Sequence, residues 1–366
     1  MKTVTQMTLF SFLAYHDFIE LVPKTLQDNV KDKLLSAKKD LGFSEICWGP
    51  VADKLLRFSP FGPSIALMYV VKNENNNNIP EYTIVIRGTN PISPYSWFRE
   101  DFNVKELKKW KSVSYETEAS DKAQVSEATF QAMNIHTNLK DNNTTVMDWL
   151  NSILDKSPKQ NIKLNITGHS LGGLLSTTLG LWIYDNLAKK NLKDFVDINI
   201  YSFAAPTAGN KEFVEYTRSK LGEKFTCFVN NLDIATHAWV ETDMTGLLPK
   251  IYEPIKLSKE EAKILSDFCD KIRNHEYQKI GNESLIASEI LSTLDIYILQ
   301  AVYQHLVPYL QAIKDDAPKK FYSEVCELLR TLYNNMKPDD LSGNPLTIKQ
   351  EELDQFFFMI DEQLTL

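Results

Sequence analysis

Ser170 sits between two glycines in Ile166-Thr167-Gly168-His169-Ser170-Leu171-Gly172-Gly173. Before it, Ile162, Leu164 and Ile166 alternate with polar residues, as in a strand. After it, Leu174 to Lys189 is apolar for about four helical turns. A serine on a sharp turn between a strand and a helix presents its hydroxyl as a nucleophile. The glycines fit that turn, because a Cβ at either position would keep strand and helix apart. The helix start also aims unpaired N–H groups and its positive dipole end at whatever the serine attacks.

A serine hydroxyl is a weak nucleophile near neutral pH. It needs a histidine to take its proton and an acid to orient that histidine. In the order serine, acid, histidine, the acid lies just past a later strand. Asp233 follows the predicted strand 224–230 and is the leading candidate, with Glu241 and Asp243 as rivals. Three histidines lie downstream: His237, His275 and His305. His237 is very near the acid in sequence. His275 lies in the charged stretch Asp270 to Glu276, and His305 lies in an apolar helical stretch. Chain order favours His305. The oxyanion of an acyl-transfer intermediate needs two donors. The N–H of Leu171 is one. The other is assigned to Thr89, in the turn Arg87-Gly88-Thr89-Asn90 that ends a predicted strand.

Positioning these groups requires a framework. Residues 64–71, 81–87, 162–167, 197–203 and 224–230 read as strands, and 123–153 (with a break near 141–145) and 210–220 as helices. Alternating strands and helices imply a largely parallel sheet covered on both faces. Beyond Ser258 the pattern turns helical. Ser258-Lys259-Glu260-Glu261 looks like a capped helix start, and 284–313 reads as one long apolar-periodic segment. Two further helices are expected at 320–335 and 348–363. Lys2 and the apolar patch Leu9 to Tyr15 suggest an amphipathic first helix rather than a signal peptide.

With 43% hydrophobic and 24% charged residues, the composition is that of a globular protein. A net charge of -8 argues against nucleic-acid binding. The apolar run Leu171 to Tyr184 is too short to span a bilayer. Cys47, Cys227, Cys269 and Cys326 have no metal-like spacing and suit a reducing compartment. A cytoplasmic location is expected, or export without a cleaved signal, as for a delivered bacterial effector.

Taken together, these segments resemble the class 3 lipase family, the fungal-lipase-like branch of the α/β-hydrolases, in its phospholipase A1-like form. Thr83 to Thr89 resembles the strand and oxyanion turn, and Ser96 to Phe102 the Trp and Asp segment after it. Thr167 to Gly173 resembles the elbow, and Ser202 to Asn210 the next strand-to-helix stretch. Asn231-Leu232-Asp233-Ile234 resembles the acid loop, and His305 to Leu310 the terminal histidine region. Ala128-Thr129-Phe130 stands where the family usually has Gly-Phe, and Ala235-Thr236 where many members have Val-Pro.

The resemblance implies an α/β-hydrolase domain over residues 1–315, with a helical insertion at about 245–300. Residues 316–366 would form a C-terminal helical extension. It implies a lipid ester substrate, phospholipid or acylglycerol, met at a membrane surface, and no metal or organic cofactor. Ser170, Asp233 and His305 would form the triad, with Thr89 and Leu171 as the oxyanion hole. Pro91 to Phe98, or the insertion with Thr245 to Pro249, could cover the acyl site. An esterase of small soluble esters and a non-catalytic lipase-like scaffold are the alternatives.

Overall fold

The computed structural model describes residues 1–17, 20, 22–54, 65–75, 79–89, 103–156, 160–291, 295–320, 322, 323 and 327. The suggested cover at Pro91 to Phe98, the Trp and Asp segment Ser96 to Phe102, and nearly all of the C-terminal extension lie outside these residues. In chain order the elements begin with α1 (Thr3–Leu13), α2 (Pro23–Leu41), β1 (Phe43–Lys54), β2 (Ile65–Asn73) and β3 (Glu81–Ile86). A small antiparallel ribbon follows, β4 (Leu107–Lys109) with β5 (Gln124–Ser126), then α3 (Glu127–Asn138) and α4 (Val146–Lys156). The remainder is β6 (Ile162–His169), α5 (Leu171–Lys189), β7 (Val196–Phe203), α6 (Lys211–Leu221), β8 (Phe225–Asn230), α7 (Lys259–Ile272), β9 (Glu283–Ile286) and α8 (Tyr297–Gln311).

Seven strands form one sheet in the order β1-β2-β3-β6-β7-β8-β9. The β1-β2 and β2-β3 pairs are antiparallel; from β3 to β9 every pair is parallel. This is the mostly parallel, helix-covered sheet of the α/β-hydrolase fold. Strand alternation divides the apolar residues between two faces. Leu67, Tyr69 and Val71 of β2 face one core with α1, α2, α7 and α8. Ala66, Met68 and Val70 face the other, with α3, α4 and α5.

Three sequence readings change. Residues 284–313 are not one helix: Glu283–Ile286 adds an edge strand beside β8, and the helix begins at Tyr297. Four residues of which only two are apolar carry no periodicity that separates strand from helix, and here the open edge of β8 decides. Residues 123–153 begin with the short strand β5. Helix α1 is buried almost all round instead of being amphipathic. Its polar residues tolerate this because Thr8 Oγ1 donates to the Val4 carbonyl and Ser11 Oγ to the Thr8 carbonyl. At Ser258 the expected cap is present: Ser258 Oγ accepts from Glu261 N, and Glu261 accepts from Ser258 N. Among the described residues no helix is long and apolar enough to cross a membrane.

Candidate active site

The site forms at the carboxyl ends of the parallel strands, where open α/β sheets place their chemistry. Ile86 of β3 pairs with Gly168 of β6, and His169 with Phe203 of β7. Two residues past the first pair, Gly88 and Ser170 lie just beyond the ends of their strands. Ser170 has φ 60° and ψ -126°, a region that side-chain-bearing residues seldom occupy. Such a conformation costs on the order of 1–3 kcal/mol and persists only where the surroundings impose it. Here they do: Ser170 N donates to the Phe203 carbonyl at 2.9 Å, and α5 starts at the next residue. A Cβ on Gly168 would overlap the backbone of Gly172, and one on Gly172 would overlap the Ile86 carbonyl. The two motif glycines therefore seat the helix directly on β6 and β3.

Asp233 and His305, 72 residues apart in sequence, meet in the fully buried interior. His305 Nδ1 lies 3.0 and 2.9 Å from the two Asp233 carboxylate oxygens. Asp233 Oδ1 also accepts from Ala235 N at 3.0 Å, and Oδ2 from Tyr309 Oη at 2.9 Å. A carboxylate only accepts, so Nδ1 carries the ring proton, and in the neutral ring the lone pair falls on Nε2. His305 lies beside the elbow: its ring centroid is 4.6 Å from that of His169, and its carbonyl is 2.8 Å from His169 Nε2.

Asn230 joins the acid loop to the helix bearing His305, and sequence reasoning did not single it out. Pro308 lies inside α8 and has no N–H for the carbonyl of Gln304, four residues back. Asn230 Nδ2 supplies that bond at 2.8 Å and also reaches Gln304 Oε1 at 2.8 Å. Asn230 N donates to Tyr309 Oη, and Asn230 Oδ1 accepts from Leu232 N. The signal was present in the pairing of a buried asparagine with an in-helix proline, but it joins residues almost eighty positions apart.

The oxyanion candidates occupy neighbouring positions. Leu171 is the first residue of α5, where N–H groups lack intrahelical acceptors. Half-buried Thr89 follows Gly88, whose N would lie 3.0 Å from a Cβ on Gly172. The turn after β3 thus packs on the first turn of α5. Buried Arg87 donates to the His16 carbonyl at 3.4 Å; burial lowers its pKa to about 10, so it stays cationic at neutral pH.

The rival residues are engaged elsewhere. His237 pairs with Asp243 at 2.7 Å and with the Asn231 carbonyl at 3.1 Å, and Lys279 lies 3.2 Å from Asp243. His275 meets the carbonyls of Arg273 and Lys105 near the surface. Glu241 is exposed and accepts from Asn274 N and, through its carbonyl, from Thr245 Oγ1.

Residues 83–242 match the family described as lipase (class 3). The crystal structure of M37 lipase is similar to this chain at 29% identity and a TM-score of 0.75, covering 87% of this chain and 96% of that one. Lip2 lipase from Yarrowia lipolytica matches at 15% identity and a TM-score of 0.39, over 62% of each chain. The Rhizomucor miehei lipase propeptide complex matches at 16% identity and a TM-score of 0.39, over 64% of this chain and 62% of that one. No match was found among curated proteins. The family match runs from the strand before Thr89 through Ser170 to just past Asp233, and the likeness to M37 lipase extends over nearly the whole fold: residues 83–242 carry the pattern of the class 3 lipase family, and the chain has a fungal-lipase-like α/β-hydrolase fold.

Proposed function

We propose that this protein hydrolyses acyl esters of lipids, acylglycerols or phospholipids, through an acyl-enzyme on Ser170. Ser170 Oγ attacks the ester carbonyl carbon while His305 Nε2 takes its proton. The negative oxygen of the tetrahedral intermediate accepts from the N–H of Leu171 and from Thr89. Collapse breaks the bond to the alkoxide, which leaves with the proton from His305. Water then attacks the acyl-enzyme, His305 takes its proton, and the fatty acid departs as Ser170 is regenerated. Asp233 holds the imidazole by its Nδ1–H and stabilises the imidazolium. The observation that carries this reading is the buried Asp233–His305 pair set against a serine held at positive φ on a strand–helix elbow.

Ser170 is only 6% exposed and His305 is fully buried. The class 3 lipase pattern over residues 83–242 suits a lipid ester better than a small soluble ester. Fluorophosphonate labelling of wild type and Ser170→Ala tests the nucleophile. Turnover of acylglycerol emulsions, phospholipid vesicles and a short soluble ester then ranks the substrates. Wild type should be labelled, Ser170→Ala should not, and aggregated lipid should be the best substrate. An unlabelled wild type would point to a scaffold. Turnover confined to the short ester would favour the soluble-ester reading.

A further inference from the structure

The residue before the nucleophile, His169, is fully buried and takes no part in the steps above. Its Nε2 lies 2.8 Å from the carbonyl oxygen of His305, the base itself. A carbonyl only accepts, so Nε2 carries the proton and Nδ1 of the neutral ring is an acceptor. Tyr15 Oη, at the end of α1, lies 3.1 Å from Nδ1 and 3.2 Å from the His169 carbonyl, with its proton to donate there. The ring is packed by Phe12, with centroids 4.9 Å apart, and by Tyr309 at 5.5 Å.

We propose that His169 is a positioning residue for the general base, and that Tyr15, two residues past the N-terminal helix, holds it in the tautomer that does this. The proposal deepens the reading of Ser170 and His305 as nucleophile and base, and rests on it. Asp233 controls how the His305 ring rotates. His169 controls something different, the backbone from which that ring hangs. It shares a peptide bond with Ser170, so its Nε2–H ties the nucleophile's own main chain to the base's own main chain across 136 residues of sequence. Separation of the two reacting side chains is thereby set by one direct link.

Burial and the neighbouring His305 hold the His169 pKa well below its ordinary value, so the ring stays neutral. That neutrality serves acylation, because His305 becomes an imidazolium with its ring centroid 4.6 Å away. A second cation there would oppose it. Helix α1 is fastened at both ends of this arrangement. Tyr15 meets the elbow, while Asp316, just past α8, accepts from Lys2 N at 2.6 Å and Thr5 Oγ1 at 2.7 Å. The N-terminal helix thus spans from the helix of the base to the turn of the nucleophile. It also fits against Gly88, where a Cβ would overlap Tyr15 Oη and the His169 carbonyl.

The test compares His169→Ala, His169→Gln and Tyr15→Phe with wild type, reading kcat, KM and the rate of fluorophosphonate acylation. Glutamine can place an amide N–H near the position of His169 Nε2; alanine cannot. Misplacement of reacting groups by about an ångström costs on the order of 100-fold. His169→Ala should therefore lose about 10- to 100-fold in kcat and in acylation rate with KM little changed. His169→Gln should recover most of that loss, and Tyr15→Phe should fall between. Equal acylation rates for the alanine and glutamine variants, with labelling still dependent on Ser170, overturn the proposal alone. Undiminished labelling of Ser170→Ala overturns the underlying reading and the proposal with it.

Discussion

The bond from Asn230 to the Gln304 carbonyl exists because Pro308 cannot make it, and this can be measured as a coupling between two residues. Asn230→Ala removes the donor at 2.8 Å from that buried carbonyl and the acceptor for Leu232 N. A buried polar group left unsatisfied costs about 1–3 kcal/mol. Gln304 Oε1 keeps Ser288 Oγ as a donor at 2.6 Å, so the carbonyl and the Leu232 N–H are the groups that matter. The single substitution should therefore destabilise by about 2–4 kcal/mol. Pro308→Ala restores an N–H four residues beyond Gln304, and the helix can satisfy its own carbonyl. In that background Asn230→Ala should lose only the Leu232 bond and cost about 1–2 kcal/mol less. Urea unfolding of the four proteins, at matched m-values, gives the cycle. Additive effects, within a few tenths of a kcal/mol, would refute the claim that asparagine substitutes for the missing helical bond. The same variants should show a fall in kcat for Asn230→Ala that Pro308→Ala partly restores, because α8 carries His305.

Three further outcomes are expected. Asp233→Asn should leave the fold intact yet lower kcat by about 10⁴-fold, since an amide can donate and favours the wrong imidazole tautomer; steady-state kinetics beside circular dichroism would show it. Gly88→Ala should destabilise by about 1–3 kcal/mol through overpacking against Tyr15 Oη and the His169 carbonyl. Tyr15→Phe should relieve part of this in a thermal melt, whereas no shift would mean the turn relaxes freely. His136 is fully buried and burial lowers its pKa to about 4, against ~6.5 for an unfolded histidine. The folded state binds fewer protons, so its contribution is complete above pH ~6.5 and is lost progressively down to about 4, by about 3 kcal/mol in all. His136→Leu should flatten that limb of the stability–pH curve; an unchanged slope would assign it to other groups.

The parts of this site that a reader of the sequence can see are local. Strand alternation before Ser170, paired glycines around it and the apolar run after it describe a turn whose atoms all lie within a few residues. The capping box at Ser258 is of the same kind. The edge strand Glu283–Ile286 was not legible, because four residues that are only half apolar gain their pairing from β8 and not from their own pattern. The burial of α1 was hidden for a similar reason: Thr8 and Ser11 look solvent-facing until their hydroxyls turn back onto the helix carbonyls.

From sequence alone came the class of chemistry, the strand–turn–helix at Ser170 and the order serine, acid, histidine, since each depends on residue type and short spacing. Chain order could favour His305 over His275 and His237 but could not show what each touches. Only the tertiary structure brought Nδ1 of His305 onto Asp233 and gave the other two histidines different partners. The same holds for Asn230, Tyr15 and His169. Their bonds cross 74 to 154 residues of chain, and such contacts follow from how the sheet and its covering helices pack, not from any pattern within one segment.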